Sequence, residues 1–106
     1  MTYLIFGATG GVGSALAHTL LARGDRVIAS GRDPQKLALL SSALGTPPLL
    51  ADATSSAEVA EVFAAAGAID GVANCVGSLL LKPAHITTDE EWAAALRTNL
   101  DSAFYV

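Results

Sequence analysis

Tyr3-Leu4-Ile5-Phe6-Gly7-Ala8-Thr9-Gly10-Gly11-Val12-Gly13 is an apolar run that breaks into a glycine cluster and then opens a helical pattern. A strand, a tight turn and a helix N-terminus in that order make a phosphate site. Bare backbone N–H groups and the positive end of the helix dipole meet a diphosphate there. Glycine is required because such a turn needs positive φ and because a Cβ would hold the ligand off the backbone. Two spacings are satisfied at once, G-x-x-x-G-x-G (Gly7, Gly11, Gly13) and G-x-x-G-x-x-G (Gly7, Gly10, Gly13).

Outward from this turn, strand-like and helix-like segments alternate. Thr2 to Phe6 reads as the first strand and Val12 to Arg23 as a helix, with Val12, Leu16 and Leu20 sharing a face. Arg26 to Ser30 is a second strand. Asp33-Pro34 then supplies an N-cap and a first-turn proline for a helix that Gly45 stops. Pro47 to Ala51 is a short third strand, and Ser55-Ser56-Ala57-Glu58 is a capping-box pattern opening a helix to Ala66. Ile69 to Asn74 is a fourth strand and Gly77 to Thr87 a loop. Thr88-Asp89-Glu90-Glu91 is a second capping box, opening a helix that still runs at Tyr105. The order βαβαβαβα predicts an α/β fold, a doubly wound parallel sheet of the Rossmann type with strand order 3-2-1-4. Residues 1–106 read as a single NAD(P)-binding domain, incomplete at its C-terminus because the later strands of such a sheet do not follow.

Composition narrows the function. The chain has 106 residues, 52% of them hydrophobic, which is enough for one core. Its net charge is −4 and its six basic residues are scattered, which argues against a nucleic-acid or anionic-membrane surface. No apolar run approaches a membrane span, and no basic segment precedes the first strand as in a signal peptide. With one cysteine, Cys75, a reducing, cytoplasmic setting is expected. No set of metal-ligating residues is assigned. Only 15% of residues are charged, which suggests that some apolar surface meets more protein.

Four motifs together resemble the N-terminal part of the short-chain dehydrogenase/reductase family. They are the glycine turn Gly7 to Gly13, Asp52 after the third strand, Asn74-Cys75-Val76-Gly77 after the fourth, and Thr98-Asn99-Leu100 on the last helix, with Trp92 before it. The chain departs from the family pattern at Phe6, where threonine is usual, and at Cys75, where a second asparagine is usual. The resemblance implies a cofactor site of Gly7, Thr9, Gly10, Gly11, Val12, Gly13, Arg32, Asp52, Ala53, Asn74, Val76 and Gly77. In it, Asp52 and the Ala53 backbone meet the adenine, while Asn74 and Gly77 floor the site. Asn99 is the implied catalytic residue, holding a water of a proton relay.

Ser30-Gly31-Arg32 decides the expected cofactor. An acidic residue at the end of the second strand holds the ribose hydroxyls of NAD, whereas arginine suits the 2′-phosphate of NADP. Gly31 stands at the usual acidic position and Asp33 serves as the helix cap, so NADP is preferred over NAD. Cys75 reads as a structural thiol and Trp92 as core, while His18 and His85 read as solvated.

The family's chemistry also needs a serine and a Y-x-x-x-K pair, and residues 1–106 do not contain that arrangement. The expected function is therefore hydride transfer between NADP(H) and a small-molecule carbonyl or alcohol, with this chain as the cofactor-binding part. A homo-oligomer is expected at full length. The alternatives are a non-catalytic NADP-binding or redox-sensing module and a truncated remnant. Leu96, Leu100 and Phe104 are expected to form an open apolar helix face beside an uncovered strand edge, making the isolated chain poorly soluble.

Overall fold

The computed structural model describes residues 1–106. Strand β1 (Thr2–Phe6) lies between β2 (Arg26–Gly31) and β4 (Gly71–Asn74), and β3 (Leu49–Leu50) pairs on the far side of β2. All pairs are parallel and the order is β3-β2-β1-β4. Helices α1 (Gly11–Ala22), α2 (Pro34–Leu44) and α3 (Ser56–Ala66) make the crossovers. Beyond β4 come a 3₁₀ turn (Ala84–Ile86), α4 (Asp89–Leu96), a π-turn (Arg97–Asp101) and α5 (Ser102–Tyr105).

Successive strand residues point to opposite faces, and here both faces are covered, so β1 is apolar and buried over Leu4, Ile5 and Phe6. Ile5, Val27 and Ala29 face α1 and α2, where they meet Ala17, Leu20, Leu37, Leu40 and Leu44. Leu4, Phe6 and Ile28 face the other side with Val59 and Val62 of α3. Phe6 fills that side against the Phe63 ring, at a centroid distance of 5.7 Å.

Several boundaries differ from the sequence expectation, each for a local reason. The buried stripe of α1 is Gly13, Ala17 and Leu20, and Val12 is 74% exposed. The approach is tightest at the first turn, where a Cβ on Gly13 would fall 2.9 Å from Ala8 Cα, so bare backbone turns inward there, while Leu20 is buried farther along as expected. β3 is only two residues long, because Pro47 and Pro48 bring no N–H to a ladder. β4 starts at Gly71, where an added Cβ would lie 2.8 Å from the Tyr3 ring. Ser55 caps Glu58 N–H, but the Glu58 carboxylate turns to the Asp52 N–H (3.3 Å) rather than closing the box. The Thr88/Glu91 box closes in both directions. Trp92 is 63% exposed and so is not core, because nothing in this chain covers α4.

The π-turn is the largest departure from the expected continuous helix. Ser102 N–H reaches back five residues to the Arg97 carbonyl, and the Thr98 carbonyl it would have met in an α-helix instead takes the Ser102 hydroxyl (2.6 Å). Asn99 Nδ2 likewise donates to the Ala95 carbonyl (2.9 Å). The Ser102 hydroxyl thus satisfies a carbonyl that the wider turn leaves without its usual partner, and Asn99 adds a side-chain bond one turn earlier. No helix is long and apolar enough to cross a membrane.

Candidate dinucleotide site

The C-terminal ends of β1, β2, β3 and β4 open on one cavity of about 370 Å³. This is the edge where ligands sit in open parallel sheets. Of the residues expected from sequence, Gly7, Thr9, Gly10, Arg32, Asp52, Ala53, Val76 and Gly77 line it. Gly11, Val12 and Gly13 lie beside it in the first turn of α1. Asn74 and Asn99 stand behind the wall.

The glycine turn contains two kinds of glycine. Gly7 has φ 68°, and a Cβ there would fall 2.7 Å from the Cys75 carbonyl carbon and the Val76 nitrogen. A Cβ on Gly13 would fall 2.1 Å from the Gly7 oxygen. Both are demanded by the fold itself. Gly10 would meet only the Gly7 oxygen at 3.5 Å, and Gly11 nothing within 4 Å. Internal packing does not explain glycine at those two positions. They leave bare backbone at the start of α1. That start has no side-chain cap and no acidic residue in its first turn, whereas Asp33, Ser55 and Thr88 cap α2, α3 and α4. The uncapped end therefore offers free N–H donors and a positive partial charge at the cavity.

Asp52 is half-buried and forms an Asx turn, with Oδ1 accepting from Thr54 N–H (2.9 Å) and Thr54 Oγ1 (2.8 Å). The Thr54 backbone bond first, then the hydroxyl bond, hold the Asp52 carboxyl below its ordinary value of 3.8, and the Arg32 charge adds to this. Burial opposes the shift without reversing it. Asp52 is therefore an acceptor at neutral pH, with Oδ2 unengaged. The Asp52-Ala53-Thr54 pattern is a readable Asx-turn signal that sequence reasoning passed over.

Asn74 Oδ1 accepts from Val76 N–H (3.0 Å), and its Nδ2 donates to the hydroxyl of fully buried Ser102 (3.3 Å). Asn99 Oδ1 accepts from Ser78 N–H (3.0 Å), and Nδ2 reaches Ser78 Oγ (3.2 Å) as well as the Ala95 carbonyl. The two asparagines thus tie the cavity wall at 76–78 to the helix around the π-turn. Ser102 is the member of this network that sequence reasoning missed. Burial pushes the Cys75 thiol above 9.0, so it stays protonated at neutral pH. Sequence reasoning also left out Lys36, Thr54, Ser78 and Thr98 from the lining. No group of three or more His, Cys, Asp or Glu side chains comes together as a metal site would need.

Comparison with known proteins places this architecture. The chain is 34% identical over 113 aligned residues to the NADP-dependent 3-hydroxy acid dehydrogenase YdfG of Salmonella typhi, covering 100% of the chain and 46% of that protein. It is 33% identical over 111 residues to the 3-oxoacyl-[acyl-carrier-protein] reductase FabG of Escherichia coli, covering 95% of the chain and 44% of that protein. The chain thus spans about half the length of the curated relatives it matches. A short-chain type dehydrogenase/reductase from Mycobacterium ulcerans superposes with a TM-score of 0.91 at 29% identity, over 99% of this chain and 43% of that one. The sequence model of the short chain dehydrogenase family matches residues 1–106, and the chain belongs to that family.

Proposed function

We propose that this chain is the dinucleotide-binding part of an NADP-preferring oxidoreductase that transfers hydride between the cofactor and a carbonyl or alcohol substrate. The observation that carries the reading is the pair Gly10 and Gly11, bare backbone that the fold does not require, at the uncapped start of a helix beside a cavity. The cofactor would supply the hydride from its nicotinamide ring. This chain's residues do the holding. The N–H groups of Gly11, Val12 and Gly13 receive the diphosphate, while that of Gly10 is held by the Gly7 carbonyl (3.2 Å). Asp52 Oδ2 accepts from the adenine amino group, with the Ala53 backbone beside it. Val76 and Gly77 form the floor, kept in place by Asn74. Asn99 fixes the Ser78 segment next to the reacting end and is the one candidate here for a role in proton transfer.

The preference for NADP rests on charge. No carboxylate projects from Gly31, and the Asp33 carboxylate is engaged in capping α2 through the N–H groups of Gln35 (3.0 Å) and Lys36 (3.2 Å). Arg32 makes no ion pair and lines the cavity. The name of the Salmonella relative, NADP-dependent, agrees with this direction. A cytoplasmic setting and a homo-oligomer at full length belong to the same reading.

Fluorescence titration with NADPH and NADH tests it. Saturable binding of both, tighter for NADPH, is expected. Tighter binding of NADH would reverse the cofactor assignment, and no binding of either would remove the function. Turnover itself is tested in the full-length protein, with NADP-linked oxidation of 3-hydroxy acids as the first assay.

A further inference from the structure

The chain leaves the cavity after β4 as Ser78-Leu79-Leu80-Leu81-Lys82. Gly77 and Ser78 still line the wall. The three leucines that follow do not, and they stand in solvent, Leu79 80% exposed, Leu80 44% and Leu81 86%. Single exposed leucines are ordinary on a surface, but three in succession call for something apolar to meet them. The run is also pinned at both ends. At its start Ser78 N–H donates to Asn99 Oδ1 (3.0 Å), and Ser78 Oγ accepts from Asn99 Nδ2 (3.2 Å). At its end Lys82 Nζ donates to both carboxylate oxygens of Glu91 (2.7 and 3.0 Å), and Glu91 is itself fixed by the Thr88 capping box. Two clamps thus hold the leucines out.

Their place in the sheet bears on what that is. Asp52 follows β3 and Ser78 follows β4, and these strands are the two opposite edges of the sheet. A dinucleotide with its adenine at Asp52 therefore brings its reacting end towards Ser78. Leu81 is three residues farther on, at most about 11 Å of chain from that wall. From 78 to 84 the only charge is Lys82, which is paired with Glu91, so the segment offers no free cation to a substrate carboxylate or phosphate. We propose that Leu79, Leu80 and Leu81 receive an apolar chain on the substrate, so that the carbonyl or alcohol turned over is borne on an aliphatic chain of several carbons rather than on a small polar acid. The inference rests on the oxidoreductase reading above and names its substrate class.

Steady-state kinetics of the full-length protein with NADPH and the methyl esters of 3-oxobutanoate, 3-oxohexanoate and 3-oxooctanoate test the assignment. Each reduction takes a hydride from NADPH and a proton from solvent and leaves the 3-hydroxy ester. The value of kcat/KM should rise about threefold or more for each added methylene, mainly through KM. Leu79→Ser/Leu81→Ser should flatten that rise, lowering kcat/KM for the longest ester by about tenfold or more and for the shortest by no more than about twofold. Both leucines are exposed, so the variant should melt with the wild type. No rise in the wild type, or the same rise in the variant, would overturn the substrate class and leave the oxidoreductase reading standing. An unchanged rise with a lowered melting temperature would overturn it too, and would show that later residues or a second copy of the chain cover the leucines. Reduction of none of the esters would overturn it as well, and only inactivity towards 3-hydroxy acids in addition would reach the oxidoreductase reading.

Discussion

Gly11 and Gly13 are two residues apart, and substitution separates what they do. An added methyl on Gly13 meets the Gly7 oxygen at 2.1 Å, a backbone atom that cannot swing away. Gly13→Ala is expected to cost about 3 kcal/mol of stability, measured by urea unfolding. Gly11→Ala meets nothing and gains helix propensity, so stability should hold or rise by a few tenths of a kcal/mol. Binding of NADPH should nonetheless fall if the diphosphate lies where we propose, because the methyl would enter that open space. Unchanged binding in Gly11→Ala would mean that the glycine turn serves the fold alone.

Asp52 gives the second test at this scale. Its folded-state pKa is lowered, so the stability its ionised form contributes is present above the unfolded value and is lost as pH falls through the folded one. Nucleotide affinity that depends on an ionised acceptor should stay flat from pH 8 to about 5 and decline only below the ordinary carboxylate value of 3.8. Asp52→Asn offers both a donor and an acceptor and should remove that acidic limb. An affinity that already falls between pH 7 and 5 would assign the effect to another group.

At the scale of elements, the glycine turn, the caps at Asp33 and Thr88 and the helix from Ser56 to Ala66 were legible because each rests on short-range chemistry. A side chain meets backbone three residues away, or a Gly supplies a left-handed stop. The π-turn was not legible. It depends on Ser102 bonding to Asn74, 28 residues earlier, and no periodicity in 97–105 announces that contact. The Val12 assignment failed for a related reason. Period alone names a face, and the close approach of the first turn to Gly7 and Ala8 turns Gly13 inward in place of Val12, while Leu20 of the expected face is buried and Leu16 packs against the core. In the cavity lining, Asp52 and Arg32 were visible from their place after strands, whereas Lys36 enters because α2 starts directly at the C-terminal end of β2 and its first turn borders the cavity.

Ser102→Ala leaves Asn74 Nδ2 and the Thr98 carbonyl without their partner and is expected to cost about 1–2 kcal/mol. Faster hydrogen exchange should appear at Val76 and Ser78 and leave α1 and α2 unchanged. Uniform destabilisation of the whole chain would show that the network is not a local tie.

For the whole molecule, burial is uneven. After Val62 only Ser102 is buried. The radius of gyration is 14.5 Å, against about 13 Å for a compact domain of this length, because the helical segment after β4 extends beyond the sheet. Leu100 (61% exposed) and Phe104 (85% exposed) stand open on it, and β4 is an edge strand of the sheet. Residues 1–106 expressed alone should self-associate as concentration rises, with Leu100→Glu/Phe104→Glu suppressing this at unchanged melting temperature. A wild-type chain that sediments as a monomer across the concentration range would contradict this.

The central claim is that one cavity at the ends of β1 to β4 holds a dinucleotide, and amide chemical-shift mapping with NADP tests it most directly. The account predicts saturable shifts confined to Gly7–Gly13, Gly31–Lys36, Asp52–Thr54 and Val76–Ser78. Shifts clustered elsewhere, or none at millimolar NADP, would contradict it.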